Sequence, residues 1–340
     1  MKKKIFVVGA GGRTGTMFAE ELKNACDVIG VARDAQADAI EAKKVFVKKD
    51  GTVAPLEIDV VREWEFASVS KDAAADYLFL ATKNPVGPAV RQYYENFRNA
   101  EKIPALVLSQ NGLSAGDDAR AALREVFGGE AKQAQVIRVS LFNPIDADAA
   151  GGQFSISYRL PIRLCYGVIN GSEDAAGLRA IFGAAGIDAE QVRQRDTRNM
   201  EYSKLFLNLI GMAMASKGRP VKDAFDDLDA FALEINALKE YIGLVRASGG
   251  RFLNFGNYPY PVGVVAWMIA VTPVSLLSRF SGLFAKMVAK GRNDKPKDLD
   301  EIDYYSGEVV RLADKLGRPA SVNEKIIADA KKILARRETR

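Results

Sequence analysis

Ile5-Phe6-Val7-Val8-Gly9-Ala10-Gly11-Gly12-Arg13-Thr14-Gly15 opens the chain and decides its fold. A short apolar run reads as a strand, the glycines as a tight turn, and helical spacing follows at once through Met17, Phe18 and Leu22. A second strand-like run, Val28-Ile29-Gly30-Val31-Ala32, completes a βαβ unit of the dinucleotide-binding kind. Glycines there let the backbone approach a pyrophosphate, whose charge sits at the helix N-terminus. Two spacings compete. Gly9 and Gly11 fit G-x-G-x-x-G, but its third position is Thr14; Gly9, Gly12 and Gly15 fit G-x-x-G-x-x-G. Both predict a bound dinucleotide held by residues 9 to 15, Ala10 and Arg13 included, because the strand comes directly before the loop and the helix directly after.

The alternation continues. Tyr77–Ala81 and Ala105–Ser109 read as buried strands, followed by Thr82-Lys83-Asn84-Pro85 with a helix near Pro88–Asn96, and by Gln110-Asn111-Gly112 with a helix near Asp117–Phe127. Val136–Leu141, Phe154–Tyr158 and Arg163–Val168 have little helix between them, which predicts a parallel sheet closing in an antiparallel portion. A helix over Asp174–Ala184 and a short strand over Gln191–Arg195 end the first half. From Met200 the spacing is helical: Met200–Ser216, Val221–Leu228, Ala230–Ser248, Asp300–Leu316 and Val322–Ala335. The expected architecture is an α/β Rossmann-type dinucleotide-binding domain over residues 1–196, followed by an all-helical substrate and catalytic domain over 197–340.

Composition narrows the chemistry. The chain of 340 residues has an ordinary apolar fraction, a formal charge of +5, two cysteines and no histidine. Lys48-Lys49 and the basic tail at residues 331–337 read as solvated faces, so no nucleic-acid partner is expected. Cys26 and Cys165 read as buried thiols in a reducing compartment, and the start of the chain lacks the apolar core of a signal, so a cytoplasmic location is expected. Without histidine there is no Ser-His-Asp or Cys-His nucleophile and no histidine-rich zinc site, and no metal is expected. Lysine, carboxylate or tyrosine must move protons. Phe252–Ser278 carries no charge, but Pro259, Pro261 and Pro273 interrupt it. A membrane-spanning helix needs about 20 continuous apolar residues. A buried central helix or an oligomer interface is expected instead.

Glu201-Tyr202-Ser203-Lys204-Leu205-Phe206-Leu207-Asn208 sets Lys204 and Asn208 one turn apart on one helix face among leucines. Desolvation there would suit a lysine to proton transfer. Further on, Glu301-Ile302-Asp303-Tyr304 and Gly307 lead into Gly317-Arg318-Pro319 and Val322-Asn323. With the glycine loop, Lys83 and Gln110-Asn111-Gly112 in that order, the chain resembles the ketopantoate reductase (2-dehydropantoate 2-reductase) family, NADPH-dependent enzymes with a Rossmann domain and a helical domain.

The resemblance implies that Lys204 is the general acid, donating a proton to a carbonyl oxygen as hydride arrives, and that Glu301 is its active-site partner. It implies that Asn111 and Asn208 supply amides to the substrate and that Asn111 also borders the cofactor. Arg33, after the second strand, and Lys83, at a strand's carboxyl end, would bind the NADP 2′-phosphate and phosphates, although Asp34 beside Arg33 is the residue type that favours NAD. The expected activity is reduction of a small 2-oxo acid, nominally 2-dehydropantoate, by a homodimer with no membrane contact. Two departures bear on the substrate: Met212 stands where family members commonly carry a second asparagine, and Lys295-Pro296-Lys297-Asp298-Leu299 lacks a family Pro-Ser segment. Alternatives are a β-hydroxyacid or polyol-phosphate dehydrogenase, with Arg193, Arg195 and Arg198 as phosphate ligands, and a non-catalytic NADP sensor.

Overall fold

The computed structural model describes residues 2–128, 134–220, 227–279, 281–282 and 297–338. The chain forms two compact units: Met1–Gln110 with Ser114–Thr197, and Asn111–Leu113 with Arg198–Arg340.

In the first unit the strands are β1 (Lys4–Val8), β2 (Asp27–Ala32), β3 (Val45–Lys49), β4 (Thr52–Pro55), β5 (Asp59–Arg62), β6 (Tyr77–Leu80), β7 (Ala105–Leu108), β8 (Val136–Leu141), β9 (Asp146–Ala150), β10 (Gln153–Tyr158), β11 (Arg163–Asn170) and β12 (Asp188–Gln191). The helices are α1 (Arg13–Leu22), α2 (Asp34–Glu41), α3 (Phe66–Ala73), α4 (Val86–Tyr94), α5 (Ala115–Phe127) and α6 (Ala176–Ala184). Eight strands make one sheet in the order β12-β11-β8-β7-β6-β1-β2-β5. All neighbours are parallel except β11 against β8. Six of them, β5 through β8, have the strand arrangement of a doubly wound nucleotide-binding sheet. β1 is central and apolar on both faces, as a covered parallel strand must be. Ile5 and Val7 enter a core with Met17, Phe18, Leu178 and Phe182 of α1 and α6; Phe6 and Val8 enter another with Phe66, Val90 and Leu123 of α3, α4 and α5.

Two expectations are corrected here. Phe154–Tyr158 lies in β10, but this strand leaves the main sheet and joins a second one ordered β4-β3-β10-β9. The strand expected at Gln191–Arg195 ends at Gln191, and Gln194–Asp196 form a 3-10 turn.

The second unit is helical: α7 (Thr197–Leu209, its first residue in the first unit), α8 (Met212–Ala215), α9 (Leu228–Ala247), α10 (Val262–Val271), α11 (Val274–Arg279), a 3-10 turn at Ile302–Tyr304, α12 (Ser306–Leu316) and α13 (Ser321–Glu338). α9 packs against α8, α10, α11, α12 and α13. The helix expected over Met200–Ser216 breaks after Leu209: Gly211 adopts φ +93°, and buried Glu234 of α9 accepts from the Gly211 and Ala213 amides beyond the break. The helix expected over Val221–Leu228 falls on residues 221–226, outside the described residues, up to the Asp227 side chain that caps α9 through the Ala230 amide at 2.9 Å.

Of the two expectations for this apolar segment, burial within the unit holds for one face of α10 only. Val262, Ala266 and Ile269 are buried, while Val264, Trp267, Met268 and Val271 form an exposed apolar stripe. Among the described residues no helix is long and apolar enough to cross a membrane.

Candidate active site

The glycine loop follows the second spacing. Gly9 turns the chain with φ +84°, its amide donating to Val31 O at 2.9 Å. A Cβ on Gly15 would stand 2.0 Å from Gly9 O, so α1 approaches the loop closely only because residue 15 is glycine. That is the helix-packing role of a third fingerprint glycine, and Thr14 does not fill it. Gly11 has a separate cause: Gln36 of α2 lies over it, within 2.6 Å of where a Cβ would be. Gly12 caps α1 without a side chain, and a Cβ there would meet only Gly9 O, at 3.3 Å. A bare helix N-terminus behind a backbone free of side chains fits a pyrophosphate.

Around that loop, Arg33 directly follows β2 and is exposed, and Lys83, also exposed, lies three residues past β6. Asp34 Oδ1 accepts from the Trp64 indole N–H at 3.2 Å. Gln110, at the carboxyl end of β7, donates to Leu80 O at 2.9 Å and Thr82 O at 3.1 Å, and its buried Oε1 has no hydrogen-bond partner among the described residues. These strand ends therefore offer cations, donors and an unused acceptor, a set that fits a dinucleotide. Arg13, the first residue of α1, is exposed, and Thr14 is half-buried.

In the second unit three of the expected polar residues, Asn111, Asn208 and Glu301, meet. Gly112 has φ +95°, a conformation that favours glycine, and a Cβ there would stand 2.8 Å from the Glu308 Oε1 tip on α12. Asn111 Nδ2 donates to Glu301 Oε2 at 2.9 Å and to the Tyr305 hydroxyl at 3.0 Å; Tyr305 donates to the same Glu301 oxygen at 2.8 Å. Asn208 Nδ2 donates to Asn111 Oδ1 at 3.0 Å. Lys297 donates to the Asn208 carbonyl and sits 5.6 Å from the centre of the Tyr305 ring. Tyr305 and Lys297 were not among the expected site residues. The segment expected as helix from Asp300 is a 3-10 turn at Ile302–Tyr304, with Glu301 and Tyr305 flanking it and hydrogen-bonded to each other.

Lys204 lies on α7 one turn before Asn208. From Met200 to Leu209 every residue is buried except Lys204, Leu207 and Asn208, which form one half-buried stripe. α7 is held by the Tyr241 hydroxyl on Tyr202 O at 2.9 Å and by the Leu253 amide on Ser203 Oγ at 2.8 Å. The Val322-Asn323 pair is structural. Glu240 of α9 accepts from the Val322 and Asn323 amides and from Asn323 Nδ2, which caps α13.

Met212 does not continue the Lys204–Asn208 stripe. The break at Gly211 turns it into the core, 1% exposed, among Ala237, Leu299, Ile302 and Ile326. Of the arginines weighed as phosphate ligands, Arg198 is held by Leu113 O at 2.6 Å and Glu201 Oε2 at 3.1 Å, while Arg193 and Arg195 are exposed. Lys295 and Pro296 lie outside the described residues.

Residues 5–137 match the family model Ketopantoate reductase PanE/ApbA. The match runs from β1 into β8 of the first unit. The ketopantoate reductase fold extends over the rest of the chain. It is similar, with a TM-score of 0.68 and 21% identity over 99% of both chains, to a PanE/ApbA family ketopantoate reductase from Ralstonia eutropha JMP134. A 2-dehydropantoate 2-reductase from Geobacter metallireducens GS-15 shares it at TM-score 0.68 and 17% identity, over 97% of this chain and 99% of that one. So does D-mandelate dehydrogenase in complex with NADH and anilino(oxo)acetate, at TM-score 0.68 and 13% identity over 97% of both. No curated protein sequence matches this chain.

Proposed function

We propose that the chain is an NADPH-dependent reductase of a 2-oxo acid, nominally 2-dehydropantoate, with Lys204 as general acid. The observation that carries this reading is the Asn208–Asn111–Glu301–Tyr305 network, one helical turn from Lys204. With Lys204 as the cation, the carboxylate and amides of this network are the groups needed to bind a 2-oxo acid and protonate its carbonyl oxygen.

Gly9, Gly12 and Gly15 would hold the pyrophosphate, with Arg33 and Lys83 on the 2′-phosphate side. The tie between Asp34 and Trp64 occupies the acid that would favour NAD, which supports NADP. The nicotinamide, when bound, supplies hydride. Lys204 gives a proton to the oxygen on which charge develops, and Glu301 keeps that ammonium charged and oriented. Both protons of the Asn111 amide are committed to Glu301 and Tyr305, so Asn111 holds the carboxylate in place, while Asn208 keeps one amide proton for the substrate.

A second reading keeps the reaction and changes the acid. With Met212 in the core, one amide fewer is offered to a substrate hydroxyl, which favours a 2-oxo acid lacking the hydroxyl of ketopantoate. NADPH oxidation followed with a panel of 2-oxo acids, ketopantoate first, tests both readings. Binding of NADPH without oxidation by any of them would leave a non-catalytic sensor. A cytoplasmic homodimer is the assembly we favour: both cysteines are buried free thiols, and the apolar stripe of α10 suits a second copy.

A further inference from the structure

We propose that Trp64 is the platform on which the adenine ring of the dinucleotide stacks, an inference that rests on the cofactor reading above. Trp64 is 70% exposed, an unusual state for the largest apolar side chain. It stands just beyond the carboxyl end of β5, the edge strand paired in parallel with β2. The pairing runs on past β5, with the Glu63 amide donating to Ala32 O at 3.0 Å, so Trp64 and Arg33 leave adjacent strands at the same end of the sheet. In open α/β sheets ligands bind outside the carboxyl ends of the strands.

The placement is built. Arg62, the residue before Glu63, pairs with Asp38 at 2.6 Å and Glu41 at 3.0 Å, which pins the 59–65 segment to α2. The indole N–H is used on Asp34, at the first turn of α2. This fixes the ring by its edge and leaves most of its surface in solvent, near Arg33. A purine stacked there would cover apolar surface that is otherwise exposed. Base stacking on an aromatic side chain contributes enough that its loss weakens binding roughly tenfold. Arg33 then addresses the ribose, and Trp64 addresses the base, which NADPH and NADH share.

Trp64 and Trp267 are the two tryptophans of the chain. In Trp267→Phe protein the indole emission therefore reports Trp64 alone. Titration with 5′-AMP and 2′,5′-ADP is expected to give a saturable fall in that emission, and reduced nicotinamide mononucleotide none. By calorimetry, Trp64→Ala is expected to raise the Kd for NADPH about tenfold and Trp64→Phe less than about threefold. If Trp267→Phe fails to fold, the difference between wild-type and Trp64→Phe emission gives the same signal. Adenine nucleotides that bind with Trp64 emission unchanged, and a Kd in Trp64→Ala within about twofold of wild type, would overturn the proposal while leaving the cofactor reading intact. No binding of any dinucleotide to wild-type protein would overturn both.

Discussion

The Asn111 amide nitrogen spends both of its protons inside the protein, at 2.9 Å on Glu301 and at 3.0 Å on Tyr305. Asn111→Asp replaces that donor with a carboxylate facing Glu301. Like charges at such a distance repel strongly in a partly desolvated site. We expect kcat/KM for NADPH-dependent reduction to fall on the order of a hundredfold, whereas Tyr305→Phe, which removes one of two donors to Glu301, should cost about three- to thirtyfold, mainly in kcat. Steady-state kinetics with the best 2-oxo acid of the panel checks the order. A Tyr305→Phe enzyme as active as wild type would show that the hydroxyl does not position the carboxylate.

Two glycines of the loop, Gly12 and Gly15, respond differently to substitution. Gly15→Ala puts a methyl 2.0 Å from Gly9 O and should lower the melting temperature sharply. Gly12→Ala meets only one atom, at 3.3 Å, and should leave the fold intact while weakening NADPH binding by tenfold or more, because the methyl stands where the pyrophosphate approaches. Thermal melts and calorimetric titration separate the two effects.

Much of this was legible in the sequence, for physical reasons. A parallel strand covered on both faces reads as an unbroken apolar run, so β1, β6 and β7 stand out, and the glycine cluster marks the turn between β1 and α1. The β3–β4 hairpin was missed although Asp50-Gly51 announces it: both residues adopt positive φ, as a two-residue hairpin turn requires. Lys48-Lys49 drew the eye as a charged face, yet Lys49 pairs with Glu20 and Glu21 of α1. In the site, Glu301 and Asn111 are 190 positions apart, and no local pattern shows that they touch. Tyr305 lies four residues after Glu301, a spacing that sets the two side by side in a helical turn, but nothing local in the sequence shows that its hydroxyl also meets Asn111.

Met212 offers a test of the substrate. Met212→Asn restores the family amide in sequence but places it in an apolar core. An unpartnered buried amide costs about 1–3 kcal/mol, added to lost packing. The expected result is a lower melting temperature with no gain in kcat/KM for ketopantoate.

Alkaline pH should destabilise the first unit. Burial, with a smaller contribution from the Asp76 carboxylate, pushes the Cys26 thiol up to about 11 from the usual 9.0. Burial likewise raises Tyr77 to about 12. Between pH 9 and 11 the unfolded chain releases the Cys26 proton that the folded chain keeps, so stability falls as pH rises through this window, by up to about 2 kcal/mol from Cys26 alone. Denaturant melts at pH 8, 9.5 and 11 check the slope, and Cys26→Ala should flatten it.

Lys204 carries the central claim. Lys204→Met keeps the length and apolar stem of the side chain and removes the proton donor. The account predicts that NADPH oxidation with the best 2-oxo acid falls by about a hundred- to ten-thousandfold, while the Kd for NADPH stays within about threefold of wild type. A Lys204→Met enzyme that binds NADPH normally and turns over within about tenfold of wild type would contradict it.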